Sequence, residues 1–323
     1  MNYIGSKYSL IDFLKQSIDK TLTACGEKRQ PSEMVFADLL SGTGVVCGAF
    51  KEQGYNVVAN DLQYYSYVVT KHIVENGDNL NAERCENLID RLNQLDGKEG
   101  FIYKNYSYEG TEGQEFRRMY FSEHNAKKCD AVRMTIEKWL VDGEINENEY
   151  FFLLASLINS IDKYANTASV YGAYLKKLKK SAQKEMRLSP MPITKGNGNY
   201  RVFNRDISQL IREVDGDILY LDPPYNERQY CTNYHLLETI ARYDDPVIKG
   251  KTGLREYSEQ KSLFCVKNKV AEVFEDLIKN AKFRYIFLSY NNEGLMPFDT
   301  IEKIMKKYGK YKVYMQTHRR FKA

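Results

Sequence analysis

The chain is poor in the features that usually settle a class at once. Its six cysteines, Cys25, Cys47, Cys85, Cys129, Cys231 and Cys265, are scattered, with no CxxC pair. A disulfide framework or thiolate metal site needs clustered cysteines, so reduced thiols in a cytosol are the expectation. The four histidines, His72, His124, His235 and His318, lie far apart. None pairs with a cysteine or carboxylate at ligand spacing, so no metal site is expected. No stretch approaches the ~18 apolar residues of a membrane span. The opening MNYIGSKYSLIDFL has neither the charged, apolar build nor the cleavage site of a signal peptide. No membrane partner is therefore expected. Repeats and low-complexity segments are also missing. Charge of one sign is scarce too: 28% of residues are charged, yet the formal net charge is only +4. So small an excess does not identify a nucleic-acid binder, and the distribution of charge has to carry that argument.

What is present is a chain of 323 residues, 43% hydrophobic, enough for one α/β domain and a sizeable insertion. Residues 34–40 read as a buried strand ending in the turn Ser41-Gly42-Thr43-Gly44. A helix start at 45–50 and a second strand at 56–60, closed by Asp61, complete the opening of a parallel α/β sheet. From 76 to 199 the chain turns polar and Tyr-rich, with a buried helix expected over 149–164. Beyond it, residues 176–187 carry six basic side chains against one acid. On a helix, Lys176, Lys180 and Lys184 share one face. Pro190, Pro192, Gly196 and Gly198 mark a loop. Strand-like runs resume at 200–203, 218–221, 285–289 and 312–316, alternating with helical patterns at 207–214, 266–281 and 299–308. The layout is one α/β domain, 1–75 and 200–323, split by an insertion over 76–199.

The sharpest motif is Asp222-Pro223-Pro224-Tyr225 at the end of a buried strand. Two prolines fix φ twice and remove two backbone donors, which leaves rigid carbonyl acceptors beside a carboxylate. Together these acceptors can receive both hydrogens of an –NH₂ group. Adenine's amino lone pair is delocalised into its ring, and two acceptors help free it for attack on a methyl sulfonium. Positioning and electrostatics suffice, without metal or strong base. Tyr225 offers a face on which an extruded base can stack. The plain alternative is a strand-ending turn that happens to hold two prolines.

The glycine turn lets a ligand approach the backbone at the carboxyl edge of the sheet. It lacks the third glycine of a dinucleotide site and the GK[ST] of a phosphate loop. Asp61, ending the next strand, is placed to bind both hydroxyls of a ribose. On this pair alone, a generic nucleotide binder and a methyltransferase stay equally open.

Taken in order, these motifs resemble the Dam-like adenine-specific DNA methyltransferases of restriction–modification systems. Tyr3-Ile4-Gly5-Ser6-Lys7 is similar to their N-terminal cofactor motif, and residues 36–44 to their glycine motif. The resemblance makes Tyr3, Lys7, Asp38, Ser41, Gly42, Thr43, Gly44, Asp61, Leu62, Asp206 and Ile207 the cofactor-binding set for S-adenosylmethionine. Asp206 would stand beside the cofactor's adenine. Asp222, Pro223, Pro224 and Tyr225 would be the catalytic motif. The resemblance covers about 1–75 and 200–323; the insertion matches loosely, as a target-recognition region would. Leu40 and Ser41 depart mildly from the family pattern.

The resemblance implies a Rossmann-like α/β fold with a seven-stranded sheet and an inserted, mainly helical recognition domain. It implies double-stranded DNA as partner, with a flipped-out adenine as substrate. A cognate restriction endonuclease acting independently, a monomeric state, and a cytoplasmic location in a bacterial or phage setting follow. For DNA binding, the interleaved lysines Lys176, Lys177, Lys179 and Lys180 suit phosphates. Arg228, Asn233 and Tyr234 suit the base pocket or the DNA gap. The rival for the lysines is a solvated surface helix. Rivals for the whole are a cytosine amino-group methyltransferase, disfavoured by Asp222, and a nicotinamide oxidoreductase, disfavoured by the missing glycine. A non-catalytic DNA-binding protein on the same scaffold is the third.

Overall fold

A computed structural model describes residues 5–77 and 79–317. Five strands, β1 (Val35–Asp38), β2 (Asn56–Asn60), β3 (Tyr200–Phe203), β4 (Asp215–Leu221) and β5 (Lys282–Leu288), form one sheet. All neighbours pair in parallel, in the order β3-β2-β1-β4-β5. Successive side chains point to opposite faces. Phe36, Ile218 and Tyr220 pack toward α1 (Ile11–Ala24) and α2 (Val45–Glu52). Ala37, Leu219 and Leu221 pack toward α8 (Ile207–Leu210), α11 (Val270–Asn280) and α12 (Phe298–Tyr308). Because both faces are covered, the central strands are apolar throughout rather than alternating. The strand order reverses between β1 and β4, which opens a crevice at their carboxyl ends.

A third core lies to one side. It joins α3 (Tyr64–Glu75) and α10 (His235–Arg242) to α4 (Ala82–Asn93), α5 (Phe101–Tyr106), α6 (Glu123–Val141) and α7 (Glu147–Tyr164). A short α9 (Tyr230–Asn233) leads into α10 and packs Tyr230 against this core. The helix α7 starts two residues before the expected 149 because Asn146 and Glu149 form a reciprocal cap, each side chain accepting from the other's backbone N–H at 3.0 Å. Residues 165–199 then run without helix or strand.

Three expectations change. The sheet has five strands among the described residues, not seven. The run 312–316 is not paired as a strand: Val313 and Met315 are exposed, so it has no apolar face to bury, and Tyr314 only reaches Thr21 on α1 at 3.1 Å. The lysine-rich segment is not helical. Its backbone is drawn onto buried Asn166, which donates to Leu175 O at 3.0 Å and accepts from Lys179 N at 2.9 Å. Tyr171, Ala182 and Met186 are wholly buried and peg the segment down at irregular spacing. Among the described residues, no helix is long and apolar enough to cross a membrane.

Candidate active site

The carboxyl ends of β1, β2, β3 and β4 surround a solvent-open cleft of about 1070 Å³. Lys7, Asp38, Ser41, Gly42, Thr43, Asp61, Leu62, Asp206, Ile207, Asp222 and Pro224 all border it. Gly44, Pro223 and Tyr225 stand just behind this lining, and Tyr3 lies outside the described residues.

The floor is built by β1 and its turn. Gly42 and Gly44 adopt positive φ, 53° and 71°, which a side chain would resist. A Cβ on Gly44 would also press on Thr70 and Ile73, both at 3.1 Å. The turn thus lies flat against α3, with the Ser41 N–H donating to Asn60 O at 3.0 Å and the Gly44 N–H to Ser41 O at 2.8 Å. The Gly42 N–H donates to Asp61 Oδ2 and the Gln63 N–H to Asp61 Oδ1, each at 2.8 Å. Burial pushes the Asp61 carboxyl up to about 7 against those two amides. Asp38 is likewise pushed up to about 7, by burial first and then by the charge of Asp222. Its carboxylate accepts from Leu40 N at 3.3 Å and Cys47 Sγ at 3.5 Å. Asp206 borders the cleft and caps α8, accepting from Ser208 N at 2.7 Å.

Across the cleft, Asp222 leaves the end of β4. Lys7, itself buried, donates to Asp222 Oδ2, to Gly5 O at 2.8 Å and to the Tyr225 hydroxyl at 2.5 Å. Burial raises the Asp222 carboxyl, and the ammonium of Lys7 opposes that rise. Lys7, expected on the cofactor side, therefore reaches the acid of the proline motif. The Tyr225 ring stands edge-on to Tyr290, centroids 5.6 Å apart, and its carbonyl accepts from Leu295 N at 2.9 Å. No donor among the described residues reaches the carbonyl oxygens of Asp222, Pro223 or Pro224. The Asp222 carboxylate is taken up by Lys7 on Oδ2 and by the Tyr225 hydroxyl, at 3.0 Å, on Oδ1.

The chain matches the family model of the D12 class N6 adenine-specific DNA methyltransferases over residues 3–311. It belongs to that family. It is 49% identical to the type II methyltransferase M.NlaIII of Neisseria lactamica, over 100% of this chain and 93% of that protein. It is 37% identical to the type II methyltransferase M.CviAII of Paramecium bursaria Chlorella virus 1, over 100% of this chain and 93% of that protein. The type II methyltransferase M.FokI of Planomicrobium okeanokoites is 41% identical over the whole chain, which spans 50% of that longer protein. No solved structure matches.

The DNA-binding expectations divide in this methyltransferase. Arg228 is exposed beside the proline-motif loop and Asn233 is half-buried, with Tyr171 N donating to Asn233 O at 2.7 Å. The lysine segment is thereby tied to that loop. Lys176, Lys177 and Lys180 are exposed, whereas Lys179 turns inward, donating to Thr167 O at 2.9 Å. Tyr234 is fully buried, its ring packed among Tyr65, Tyr171 and Tyr230. It supports the loop from beneath and has no surface open to a DNA contact, contrary to the expectation. His318, Arg319, Arg320 and Lys322 lie outside the described residues.

One wall of the cleft was invisible in the sequence. Gln260, Ser262, Leu263 and Phe264, from the connection between α10 and α11, border it. Gln229 ties this wall to the proline-motif loop: its Oε1 accepts from Ser262 N at 2.8 Å and its Nε2 donates to Ser262 O at 3.1 Å. Gln260 in turn donates to Glu238 at 2.6 Å and accepts from Gln63 at 3.3 Å. No local pattern announces these residues.

Proposed function

We propose that this N6-adenine DNA methyltransferase uses S-adenosylmethionine to methylate a flipped-out adenine at one short sequence in double-stranded DNA, as the modification half of a type II restriction–modification system. The observation that carries the reading is the meeting of an acid-lined cleft with the Asp222-Pro223-Pro224-Tyr225 loop across the switch point of the sheet. The residues present suit the cofactor. Asp38 and Asp61 offer buried carboxylates to a cation, Asp222 adds a half-buried one, and Gln63 Oε1 is a buried acceptor that no donor among the described residues reaches. S-adenosylmethionine supplies the activated methyl group when bound. Asp61 would hold the ribose hydroxyls, Asp206 and Ile207 the adenine end, and the Ser41–Gly44 turn the amino-acid end. Asp222 and the carbonyl of Pro223 would accept the two hydrogens of the target amino group, with Tyr225 beneath the base.

The same reading assigns 1–75 and 200–323 to methyl transfer and 76–199 to target recognition. It gives Lys176, Lys177 and Lys180 to DNA phosphates, and Arg228 and Asn233 to the neighbourhood of the target base. The names of the relatives above support the restriction–modification setting, with a cognate nuclease acting separately, in the cytoplasm of a bacterium or an infected host. We assign the enzyme a monomeric state. Incubation with methyl-labelled S-adenosylmethionine and unmodified DNA, followed by modified-base sequencing, tests the proposal. N6-methyladenine at a single sequence is expected. Label on cytosine, or adenine label scattered without sequence preference, overturns it.

A further inference from the structure

A second concavity lies on the outer side of the wall that closes the cofactor cleft. It is a shallow groove, open to solvent and about 1350 Å³, between the catalytic loop and the connection that precedes α11. Gln229 borders both spaces, so the groove begins where the cleft ends. Its lining is rich in cations. Arg228, Lys261 and Lys267 project into it against the single carboxylate of Glu227. All three cations are exposed, and none forms an ion pair with another described residue, although many surface lysines and arginines of this chain do. The Lys261 ammonium lies 5.3 Å from the ring centroid of Tyr257, which also lines the groove.

The groove's backbone is firmly held while its charges are free. The Arg228 N–H donates to Asn226 Oδ1 at 3.0 Å, and its carbonyl receives Cys265 Sγ at 3.5 Å. With the two bonds between Gln229 and Ser262, this fixes both rims of the groove to each other. A rigid trough bearing unpaired cations suits a polyanion whose charges repeat along its length. A strand of nucleic acid is such a ligand, and flexible lysines position a backbone rather than read a sequence.

We propose that this groove is the track of the DNA strand that carries the target adenine, with Lys261 and Lys267 on its phosphates and Arg228 where the strand turns toward the catalytic loop. The proposal rests on the reading of the chain as a methyltransferase of duplex DNA. It adds a surface outside the 76–199 insertion, contributed by the catalytic half itself. The two lysines grip the strand on the side away from the cofactor, so DNA affinity depends on them while cofactor affinity does not.

The test compares the full-length enzyme with Lys261→Gln/Lys267→Gln, using a short fluorescent duplex of mixed sequence and anisotropy over a range of salt concentrations. Both side chains are exposed, so thermal melting should match the parent. Affinity for the duplex should fall, and the slope of log K against log salt should shrink by roughly 1.8, about 0.9 for each phosphate that is no longer neutralised. S-adenosylmethionine affinity, read by calorimetry, should be unchanged. Charge reversal, Lys261→Glu/Lys267→Glu, should deepen the DNA defect. An unchanged affinity and slope in the double variant, while the parent binds and methylates DNA, overturns the groove and leaves the methyltransferase reading standing. A loss confined to one sequence, with mixed duplexes bound normally, also overturns it, because phosphate contacts cannot discriminate sequence. A parent that neither binds nor methylates DNA removes the underlying reading instead.

Discussion

The loops at the carboxyl edge of the sheet and the stretch 165–199 both lack regular structure, yet they are held in opposite ways. The edge loops take their backbone path first from their own residues, and Asp61, Lys7 and Leu295 then tie them in place. Glycines at positive φ set the turn after β1, and two prolines set the turn after β4. The long stretch is shaped by side chains from elsewhere. Asn93 on α4 bonds Leu188 through both its oxygen, at 2.8 Å, and its nitrogen, at 3.1 Å. Asn125 on α6 donates to Ala182 O at 3.1 Å and Lys184 O at 2.9 Å, and accepts from Met186 N at 2.8 Å. Ser156 and Ser160 on α7 accept from Met191 and Ser189, each at 3.0 Å. Buried backbone groups must find partners, and where no ladder supplies them, amides and hydroxyls from neighbouring helices do. A self-shaped loop leaves its acceptors open to a ligand. An externally clamped one spends its polar groups on the fold.

The contrast breaks most sharply at Asp222. Asp222→Ala should lower methyl transfer by roughly 10²–10³-fold through loss of one preorganised acceptor, with the fold retained at a lower melting temperature because the buried Lys7 ammonium loses its carboxylate; near-normal turnover in a labelled-methyl assay refutes the role. Asn125→Ala should do the reverse. Removing a wholly buried amide leaves three backbone groups without partners, at about 1–3 kcal/mol for each that stays dry, so chemical denaturation should show a loss of several kcal/mol. Its affinity for S-adenosylmethionine should be unaffected, and a coincident loss of cofactor binding would show that the two regions are not separable.

A smaller effect is expected at Asp61, which organises the turn and faces the cleft. Asp61→Ala should weaken S-adenosylmethionine binding by roughly 1.5–3 kcal/mol, the worth of hydrogen bonds to a charged group, and calorimetry decides it. The smallest effect is in pH. With Asp61 near 7, S-adenosylmethionine should bind about tenfold more weakly at pH 6 than at pH 8, because a carboxyl that accepts from both ribose hydroxyls must first lose its proton. Calorimetry in buffers of different ionisation enthalpy should detect that proton release below pH 7. The ligand-free protein should behave in the opposite sense. Its raised carboxyls, Asp38 and Asp61, keep protons that the unfolded chain has already released, so these groups cost stability as pH rises from about 4 to about 7. A melting temperature that rises through that window in Asp61→Ala relative to the parent is the expected sign.

Strands β1, β2 and β4, the glycine turn, Asp61 and the proline motif were legible in the sequence. In each, a few contiguous residues carry both the conformation and the chemistry, so pattern and spacing suffice. The placement of Lys7 on Asp222, 215 residues away, the wall built by residues 260–264, and the Gln229–Ser262 clamp were not. Nor was the path of the lysine segment, where helical spacing misled because Asn166 and the buried Tyr171 and Met186 outweigh local propensity. Such contacts join single residues across long separations and leave no period behind. The sequence by itself determined the family's chemistry and the edge of the sheet that bears it. Which side chains close the cleft, and which charges remain free to meet DNA, tertiary structure alone decided, because burial and hydrogen-bond satisfaction are set by neighbours in space.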